Sequence, residues 1–339
     1  MTLGVDSITL HGALLVDKPA GPTSHDLVGF TRRLLQTKRV GHTGTLDPLA
    51  TGLLVMLVGH ATRLSQFLVT DTKEYIADIR LGVATRTYDA ASLDQVDIRY
   101  PIADSRYPTD AEIDAALDHF RGSFLQTPPP YSAKKIGGVK AYEMARKNEA
   151  VELQPVEVTV HELERLEPRT ADLGPRTSDL EPWTSDIGDR LSDIRDPTLL
   201  RVRVAASSGF YVRSLAHDLG QVLGCGAHLE ALRRTRVGRF RLEDAATVDT
   251  LESLGPQAAG RLVTMNALLP EYPAVSLTDE GLRRACNGNA LGPQHLVEVS
   301  GQTGGGSDAR VRVLGPDGEL LSVAEQRPDG SLHPLLVLR

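Results

Sequence analysis

The sequence predicts an α+β protein in which a large first domain is followed by a small β-barrel. Two observations support this fold class. From the start of the chain to about Leu251, segments with strand alternation and segments with helical spacing follow one another. Beyond Leu251, short alternating segments contain Asn-Gly and Asp-Gly pairs, which are typical of tight hairpin turns. We therefore expect domains at 1–255 and 262–339, with a linker near Gly255 to Gly260.

The first domain opens with a predicted strand and a predicted helix. The apolar segment "ALLVDKPAG" predicts a strand that ends at a Lys-Pro turn. In "TSHDLVGFTRRLLQT", Thr23 or Ser24 takes the N-cap position and apolar residues recur at helical spacing. The next segment, "KEYIADIRLGVAT", alternates as a strand does, and "TDAEIDAALDHFRG" predicts an amphipathic helix closed by Gly122.

Later segments predict more helix and one long hairpin. In "PPPYSAKKIGGVKAYEMARKNE", a Gly-Gly pair before a basic helix predicts a movable basic arm, and "VRSLAHDLGQVLGCGAHLEALRRTRVG" predicts two helices separated by glycines. Residues 168–195 hold four copies of a seven-residue repeat that begins with "PRTADLG". Because its prolines and glycines oppose a helix and both flanks alternate as strands, we expect residues 166–197 to be the poorly ordered tip of a hairpin.

The charged residues are segregated along the chain. A formal net charge of −7 argues, taken alone, against a nucleic-acid partner. Basic residues nevertheless concentrate in three clusters: Arg32, Arg33, Lys38 and Arg39; Lys134, Lys135, Lys140, Arg146 and Lys147; and Arg233, Arg234, Arg236, Arg239 and Arg241. One such cluster alone is as easily a solvated helix face, but three of them predict a positive groove on an acidic protein.

The sequence lacks the signals of a membrane protein and of a disulfide-rich protein. No apolar run approaches the roughly 20 residues that span a bilayer, and the first residues do not resemble a signal peptide. We therefore expect a cytoplasmic protein. Cys225 and Cys286 lie too far apart to form a C-x-x-C metal half-site or to suggest a disulfide framework.

A single carboxylate, Asp47, lies in the glycine- and threonine-rich segment "VGHTGTLDPLATGLLV". The segment lacks the G-x-x-x-x-G-K-[ST] spacing of a phosphate-binding loop. An aspartyl-phosphate site is also disfavoured, because no other carboxylate lies within twenty residues of Asp47 on either side. Two interpretations stay open at this point: an ionised nucleophile or base, and an acid that only shapes the turn.

Five segments, in this order along the chain, resemble the bacterial TruB-type tRNA pseudouridine-55 synthases. They are "LLVDKPAGPTSHD", "GHTGTLDPLATGLL", "KEYIADIRLG", "PPPYSAKKIGGVKAYEMAR" and "SSGFYVRSLAHDLGQVLGCGAHLEALRR". The resemblance covers roughly Leu14 to Thr250, and the final segment resembles the small PUA-like RNA-binding barrel of that family. It implies a pseudouridine synthase catalytic domain built on a mixed, largely antiparallel sheet with flanking helices.

The resemblance implies an isomerase that converts uridine 55 of the tRNA T loop to pseudouridine without a cofactor or a metal. Because a stacked uridine must be extruded to react, the site should be a base-flipping pocket. The implied catalytic residues are Asp47, Tyr75, Tyr211 and Arg213. Tyr75 would stack on the flipped base, and Arg213 would pair with Asp47 and keep it ionised. Tyr211 would share a face with Arg213 if this segment were a strand.

The resemblance also implies a set of substrate-binding residues: Lys18, His42, Leu232, Lys134, Lys135, Lys140, Arg233 and Arg234. Lys18 would support the active-site loops, His42 would fill space left by displaced nucleotides, and Leu232 would form an apolar wall. The other basic residues, together with Arg236, would contact the RNA backbone and make binding sensitive to salt.

The expected partner is the T-arm of tRNA, bound by a monomer without a guide RNA and without a membrane. The strongest alternative is a tRNA-binding folding chaperone in which catalysis is secondary or lost. The presence of Asp47 argues against a pure RNA binder, because such a protein has no use for an acid that repels phosphate. A small-molecule aspartyl phosphotransferase is a more distant alternative, since the sequence around Asp47 has no D-x-D pair.

Overall fold

The computed structural model of the chain describes residues 10–69, 72–97, 108–132, 134–136, 139–147, 153–166, 199–300 and 309–338. The strands are β1 Gly12–Lys18, β2 Val40–His42, β3 Thr51–Val58, β4 Lys73–Leu81, β5 Ala84–Thr85, β6 Val96–Asp97, β7 Gly122–Gln126, β8 Lys135–Ile136, β9 Val139–Lys140, β10 Val156–Leu166, β11 Leu199–Ala206, β12 Ala227–Val237, β13 Phe240–Arg241, β14 Ala246–Thr247, β15 Ala274–Leu277, β16 Leu296–Ser300, β17 Arg310–Leu314, β18 Leu320–Gln326 and β19 Leu332–Val337. The helices are α1 Ser24–Leu34, α2 Ser65–Leu68, α3 Asp110–Asp118, α4 Ala141–Arg146, α5 Val212–Val222, α6 Val248–Leu254 and α7 Asp279–Cys286. Together they form the predicted α+β fold, with a mixed sheet and flanking helices.

The chain forms two compact units. The first consists of Met1–Pro48, Leu53–Thr70 and Leu242–Arg339, and the second consists of Leu49–Gly52 and Asp71–Arg241. The segment predicted as a linker is a 3-10 helix, Gly255–Arg261, within the first unit. The domain bounds 1–255 and 262–339 stay a prediction.

In the first unit, β1 lies between β3 and β14, and β2 pairs with β3 in the antiparallel direction. The predicted first strand and first helix are both confirmed. Thr23 is the N-cap of α1, and its side chain and that of Asp26 form a reciprocal capping box. The helix buries Leu27, Val28 and Phe30, so the spacing seen in the sequence corresponds to its core-facing side.

The C-terminal part of the first unit contains a five-stranded sheet in the order β16-β15-β17-β18-β19. The two Asp-Gly pairs lie between β17 and β18 and between β18 and β19, as the hairpin prediction requires. The Asn287-Gly288 pair does not join two strands. It follows α7, a helix that the strand interpretation of this region missed, and Gly288 has a φ of 71°. Closure of the sheet into a PUA-like barrel stays a prediction.

The sheet of the second unit is largely antiparallel, in the order β12-β4-β11-β10-β7. The predicted strand β4 is confirmed, with Tyr75 and Ile79 among its buried residues. Helix α3 ends at Asp118, earlier than predicted, and Gly122 begins β7 with a φ of 77°. Strands β10 and β11 form the predicted hairpin, while its repeat-containing tip lies beyond Leu166, outside the described residues.

The prediction of two helices in "VRSLAHDLGQVLGCGAHLEALRRTRVG" is half wrong. Helix α5 is present, but the second segment is strand β12, which pairs with β4 along its length. A register shift between Leu229 and Ala231 inserts an extra residue into the ladder. Leu229 and Leu232 are therefore both buried although they are three residues apart, and this spacing imitates a helix.

Candidate active site

The loop that carries Asp47 joins β2 to β3, and both neighbours of Asp47 are fixed by residues of the first unit. On one side, the Ser24 hydroxyl donates to the Leu46 carbonyl at 3.1 Å and accepts from the Leu46 backbone N–H at 2.9 Å. On the other side, the Pro48 carbonyl accepts from the Gly21 backbone N–H at 2.8 Å. The half-buried Asp47 therefore lies on a backbone whose position is set from both directions.

Lys18 adds a charged contact to the same loop. Its side chain is completely buried, and its Nζ donates to the carbonyls of Pro19 at 2.9 Å and Pro48 at 3.2 Å. A buried ammonium group needs such acceptors, because its desolvation is otherwise unfavourable. This geometry supports the predicted role of Lys18 in holding the active-site loop.

Helix α1 places the Ser24 hydroxyl against the loop. The Asp26 carboxylate accepts from the Thr23 backbone N–H at 2.8 Å, and the Thr23 hydroxyl accepts from the Asp26 N–H at 3.1 Å. Hydrogen bonds from Thr23 lower the pKa of the Asp26 carboxyl group, so the capping box is intact at neutral pH. Ser24, the first helical residue, is buried directly behind this cap.

His42 ends β2, opposite Met56 of β3, and is half-buried. The following residue, Thr43, donates its backbone N–H to the Val55 carbonyl at 3.2 Å. His42 thus lies at the start of the Asp47 loop, where the sheet pairing of the chain gives way to the turn.

In the second unit, three of the predicted site residues share one face of the sheet. Tyr75 of β4 is 8% exposed and lies opposite Arg234 of β12, and Leu232 lies opposite Ala77. Residues in register on adjacent strands project to the same side, so Tyr75, Leu232 and Arg234 form one surface. Arg234 is only 1% exposed, which favours a role inside the protein over a phosphate contact.

Arg233 projects to the opposite side of β12 from Arg234 because this segment is a strand. Its guanidinium donates to the Thr51 hydroxyl at 3.3 Å, and the backbone of Gly52 lies directly against Arg234. A Cβ atom at Gly52 would lie 2.3 Å from the Arg234 carbonyl oxygen, so this approach requires glycine. The segment predicted as a helix is thus a strand, and Arg233 and Arg234, both predicted to contact the RNA backbone, do not share one surface.

Arg213 is buried in the first turn of α5, where it has acceptors on two loops. It donates to the carbonyls of Thr87 at 3.2 Å and Tyr131 at 3.0 Å, and it lies 3.7 Å from the Asp89 carboxylate. Asp89 is 3% exposed, so the two opposite charges are desolvated together. Asp89 was not among the residues predicted from the sequence, and the predicted pairing of Arg213 with Asp47 stays a prediction.

Tyr211 is the N-cap residue of α5, and Arg213 lies inside that helix. The two residues were expected to share a face only if their segment were a strand, and it is not. Its side chain is half-buried, and its backbone is held by the buried side chain of Gln126. The Tyr211 N–H donates to Gln126 Oε1 at 2.8 Å, and Gln126 Nε2 donates to the Tyr211 carbonyl at 3.1 Å. Gln126 thus fixes the start of α5, immediately before Arg213.

The predicted basic arm is a small hairpin followed by a helix. Lys135 of β8 pairs with Lys140 of β9, and α4 follows directly. Lys134 is half-buried, and its carbonyl accepts from the Ala141 N–H at 2.7 Å. The Gly-Gly pair falls between β8 and β9 in the sequence, outside the described residues, and β9 separates it from the helix.

Three residues that support the site were missed by sequence reasoning: Ser24, Asp89 and Gln126. Ser24 was considered only as a helix cap, although its neighbour Thr23 takes that position. Asp89 and Gln126 carry no motif of their own, and their partners lie far along the chain. Within the described residues, no helix is long and apolar enough to cross a membrane, and no three potential metal ligands cluster.

Two family models match the chain. The model of the N-terminal domain of TruB family pseudouridylate synthases matches residues 32–178. The model of the tRNA pseudouridylate synthase B C-terminal domain matches residues 213–284. The two matches include the Asp47 loop, strand β4 and the start of α5.

Full-length relatives and solved structures agree with these models. The chain is 37% identical to the tRNA pseudouridine synthase B of Solibacter usitatus (strain Ellin6076), over 97% of this chain and 100% of the relative. It is 41% identical to the protein of the same name from Thermobifida fusca (strain YX), over 96% of this chain and 98% of the relative. It also resembles a chain of the archaeal box H/ACA sRNP Nop10-Cbf5 complex, with a TM-score of 0.66 and 22% identity over 100% of this chain and 89% of that chain. At this identity the structural likeness shows the fold alone.

Proposed function

Because the chain belongs to the TruB family of pseudouridylate synthases, we propose that it isomerises uridine 55 in the T loop of tRNA and that catalysis depends on Asp47. The chain is a tRNA pseudouridine synthase and therefore an isomerase. The position of the uridine and the roles of the individual residues are our proposal.

The reaction breaks the bond from ribose C1′ to uracil N1 and forms a bond from C1′ to C5. The hydrogen on C5 leaves and N1 gains one, so substrate and product have the same composition. Asp47 acts as the nucleophile or base that this exchange requires. Tyr75 stacks on the flipped base and is the candidate for the proton transfer at C5.

The observation that carries this proposal is the fixed backbone on both sides of Asp47. Ser24 holds Leu46, and Lys18 with Gly21 holds Pro48, so the carboxylate does not have to be ordered during the reaction. Such preorganisation lowers the barrier, because little entropy is lost when the substrate arrives. If Asp47 served only to shape its turn, that turn would not need the buried Lys18 as a support.

The other site residues are assigned by where they lie. Tyr211 and Arg213 at the start of α5 are catalytic candidates, and Leu232 and Arg234 share the face of Tyr75. We assign His42 to the space beside the flipped nucleotide and four basic residues to the RNA backbone. These backbone contacts are Lys134, Lys135, Lys140 and Arg233.

We further propose that the enzyme acts as a monomer on the T-arm, in the cytoplasm where tRNA is found, and without a guide RNA. The relatives at 37% and 41% identity are named for tRNA, whereas the protein from the H/ACA complex is only 22% identical. The C-terminal sheet would then be the PUA-like part that binds RNA.

The test compares wild type with Asp47→Asn on unmodified tRNA transcripts, with Asp249→Asn in α6 as the matched control. Pseudouridine is mapped by carbodiimide-stopped primer extension, and binding is measured on the same preparations. We expect one modified T-loop uridine, a loss of rate of at least about 10³-fold in Asp47→Asn, and unchanged binding. If wild type binds tRNA and modifies nothing, the chaperone interpretation replaces catalysis.

A further inference from the structure

Helix α5 contacts the loop after β5 through two side chains one helical turn apart. Arg213 reaches the Thr87 carbonyl and the Asp89 carboxylate. Four residues later, the His217 ring stacks on the Tyr88 ring, with a centroid distance of 3.8 Å and an interplanar angle of 10°. Residues four apart share one face of a helix, so both contacts anchor the same loop to the same side of α5.

The backbone of Tyr88 is unusual at this point. Its φ of 64° lies in the left-handed region, which an aromatic residue rarely adopts without support from its surroundings. In extended backbone, adjacent side chains point to opposite sides. The left-handed conformation allows the neighbours Tyr88 and Asp89 both to contact α5, and the Leu229 N–H holds it by donating to the Tyr88 carbonyl at 2.9 Å.

Hydrogen bonds inside the loop fix its shape but do not attach it to α5. The Asp89 carboxylate accepts from the Ala91 N–H at 3.1 Å, and the Asp89 carbonyl accepts from the Thr85 hydroxyl at 2.8 Å. The Thr87 and Ser92 hydroxyls lie 2.7 Å apart. The loop therefore keeps its own shape, and its contacts with α5, together with the Leu229 N–H, set where the Asp89 carboxylate lies relative to Arg213.

We propose that the stack of Tyr88 on His217 is a clamp that positions the Arg213 guanidinium through Asp89 and Thr87. Both aromatic residues are positioning residues in this proposal, since they act through Arg213. The inference rests on the proposed function, in which Arg213 takes part in catalysis. A loop that is displaced by about 1 Å from its productive position is enough to lower a rate by about 10²-fold.

The experiment measures single-turnover rates and tRNA affinity for wild type, His217→Ala, His217→Phe and Tyr88→Leu, with Val222→Ala on the same helix as the control. Val222 is 53% exposed and touches none of these groups through any described contact. We expect His217→Ala and Tyr88→Leu to be about tenfold to 10²-fold slower, with tRNA affinity within about twofold of wild type. His217→Phe keeps a flat ring and should recover most of the rate.

A second set of variants tests whether the clamp acts through the charge pair. In an Asp89→Asn background, His217→Ala should lower the rate by less than about twofold, because coupled residues have non-additive effects. The proposal is overturned if His217→Ala is as fast as wild type, if His217→Phe is as slow as His217→Ala, or if the full loss persists in the Asp89→Asn background. A wild-type enzyme that modifies no tRNA would instead remove the proposed function itself, and the inference with it.

Discussion

The Asp47 loop and the Arg213 region carry the two charged residues that we propose as catalytic, and each region is held in a different way. In the Asp47 loop, the Ser24 hydroxyl holds Leu46, 22 positions away, and the Lys18 ammonium group holds Pro48, 30 positions away. Arg213 is held by carbonyls 82 and 126 positions away and by the Asp89 carboxylate. The first region thus depends on contacts formed within one local stretch, and the second depends on contacts that require the complete fold of its unit.

The difference also concerns charge. The Lys18 ammonium group donates to the neutral carbonyl groups of Pro19 and Pro48. Arg213 faces a buried acid, and removal of one member of a buried pair leaves the other uncompensated. Among the residues that hold these two charged groups in place, those of the second region should therefore have the larger effects on activity when they are substituted.

Among the supporting residues, the largest effect should come from Asp89→Asn. The amide keeps the shape of the side chain but removes the charge that opposes the buried Arg213 guanidinium. We expect the turnover number to fall by about 10²-fold while KM for tRNA changes by less than about threefold. Steady-state kinetics on tRNA transcripts measure both.

Asp110→Asn is the control for this substitution, because Asp110 is an exposed partner of Arg165. Exposed ion pairs contribute little to stability, so this variant should match wild type. A rate for Asp89→Asn within about twofold of wild type would show that the Asp89 charge does not hold Arg213 in its productive position.

The same contrast explains which parts of the molecule could be predicted from the sequence. The first strand and the capped helix are local patterns, and both were predicted correctly. Strand β12 was missed because the register shift after Leu229 changed the apolar spacing from two to three. Spacing alone does not distinguish a strand with a bulge from one turn of a helix.

Helix α7 was missed for a different reason, because its signals were present in the sequence. Thr278 is its N-cap, acidic residues fill the first turn and basic residues fill the last. The Asn287-Gly288 pair was given more weight as a hairpin turn, although such a pair also ends helices. By contrast, nothing local to Asp89 or Gln126 indicates its partner, since each contact exists only after distant segments pack.

An intermediate effect should come from Ser24→Ala, compared with Thr23→Ala. Ser24 makes two hydrogen bonds to Leu46, while Thr23 caps α1 without touching the Asp47 loop in any described contact. Each substitution should lower the free energy of unfolding by about 1 to 2 kcal/mol. Only Ser24→Ala should also lower the turnover rate, by about tenfold, because it loosens the backbone beside Asp47.

Urea unfolding and single-turnover rates on the same preparations separate the two variants. Equal rates for Ser24→Ala and Thr23→Ala would mean that the hydroxyl supports the fold and not the position of Asp47. In that case the catalytic position of Asp47 would not depend on the contact between Ser24 and Leu46.

The smallest effect concerns stability in the second unit and depends on pH. Glu230 of β12 lies 3.3 Å from His228 Nε2 and 3.0 Å from Arg80 Nε. The hydrogen bond from His228, and then those from Arg80, lower the pKa of the Glu230 carboxyl group to about 2 despite its partial burial. Burial has the opposite effect on Asp218 of α5, because it raises the pKa of that carboxyl group to about 6.

These two carboxyl groups should give pH dependences of opposite sign in Glu230→Gln and Asp218→Asn. Since the folded pKa of Glu230 lies below its usual 4.5, its stabilising contribution is complete above about pH 4.5 and is lost as the pH falls towards 2. Glu230→Gln should therefore be less stable than wild type at pH 7, by about 1 kcal/mol for a side chain one-third exposed to solvent, and the gap should close in acid.

For Asp218 the folded pKa lies above the usual 3.8, so Asp218→Asn should be more stable than wild type at pH 7, and this advantage should shrink as the pH falls from 6 to 3.8. Urea unfolding between pH 3 and 8 measures both curves, and parallel curves for wild type and Glu230→Gln would show that the charges on this strand do not contribute to the stability of the second unit.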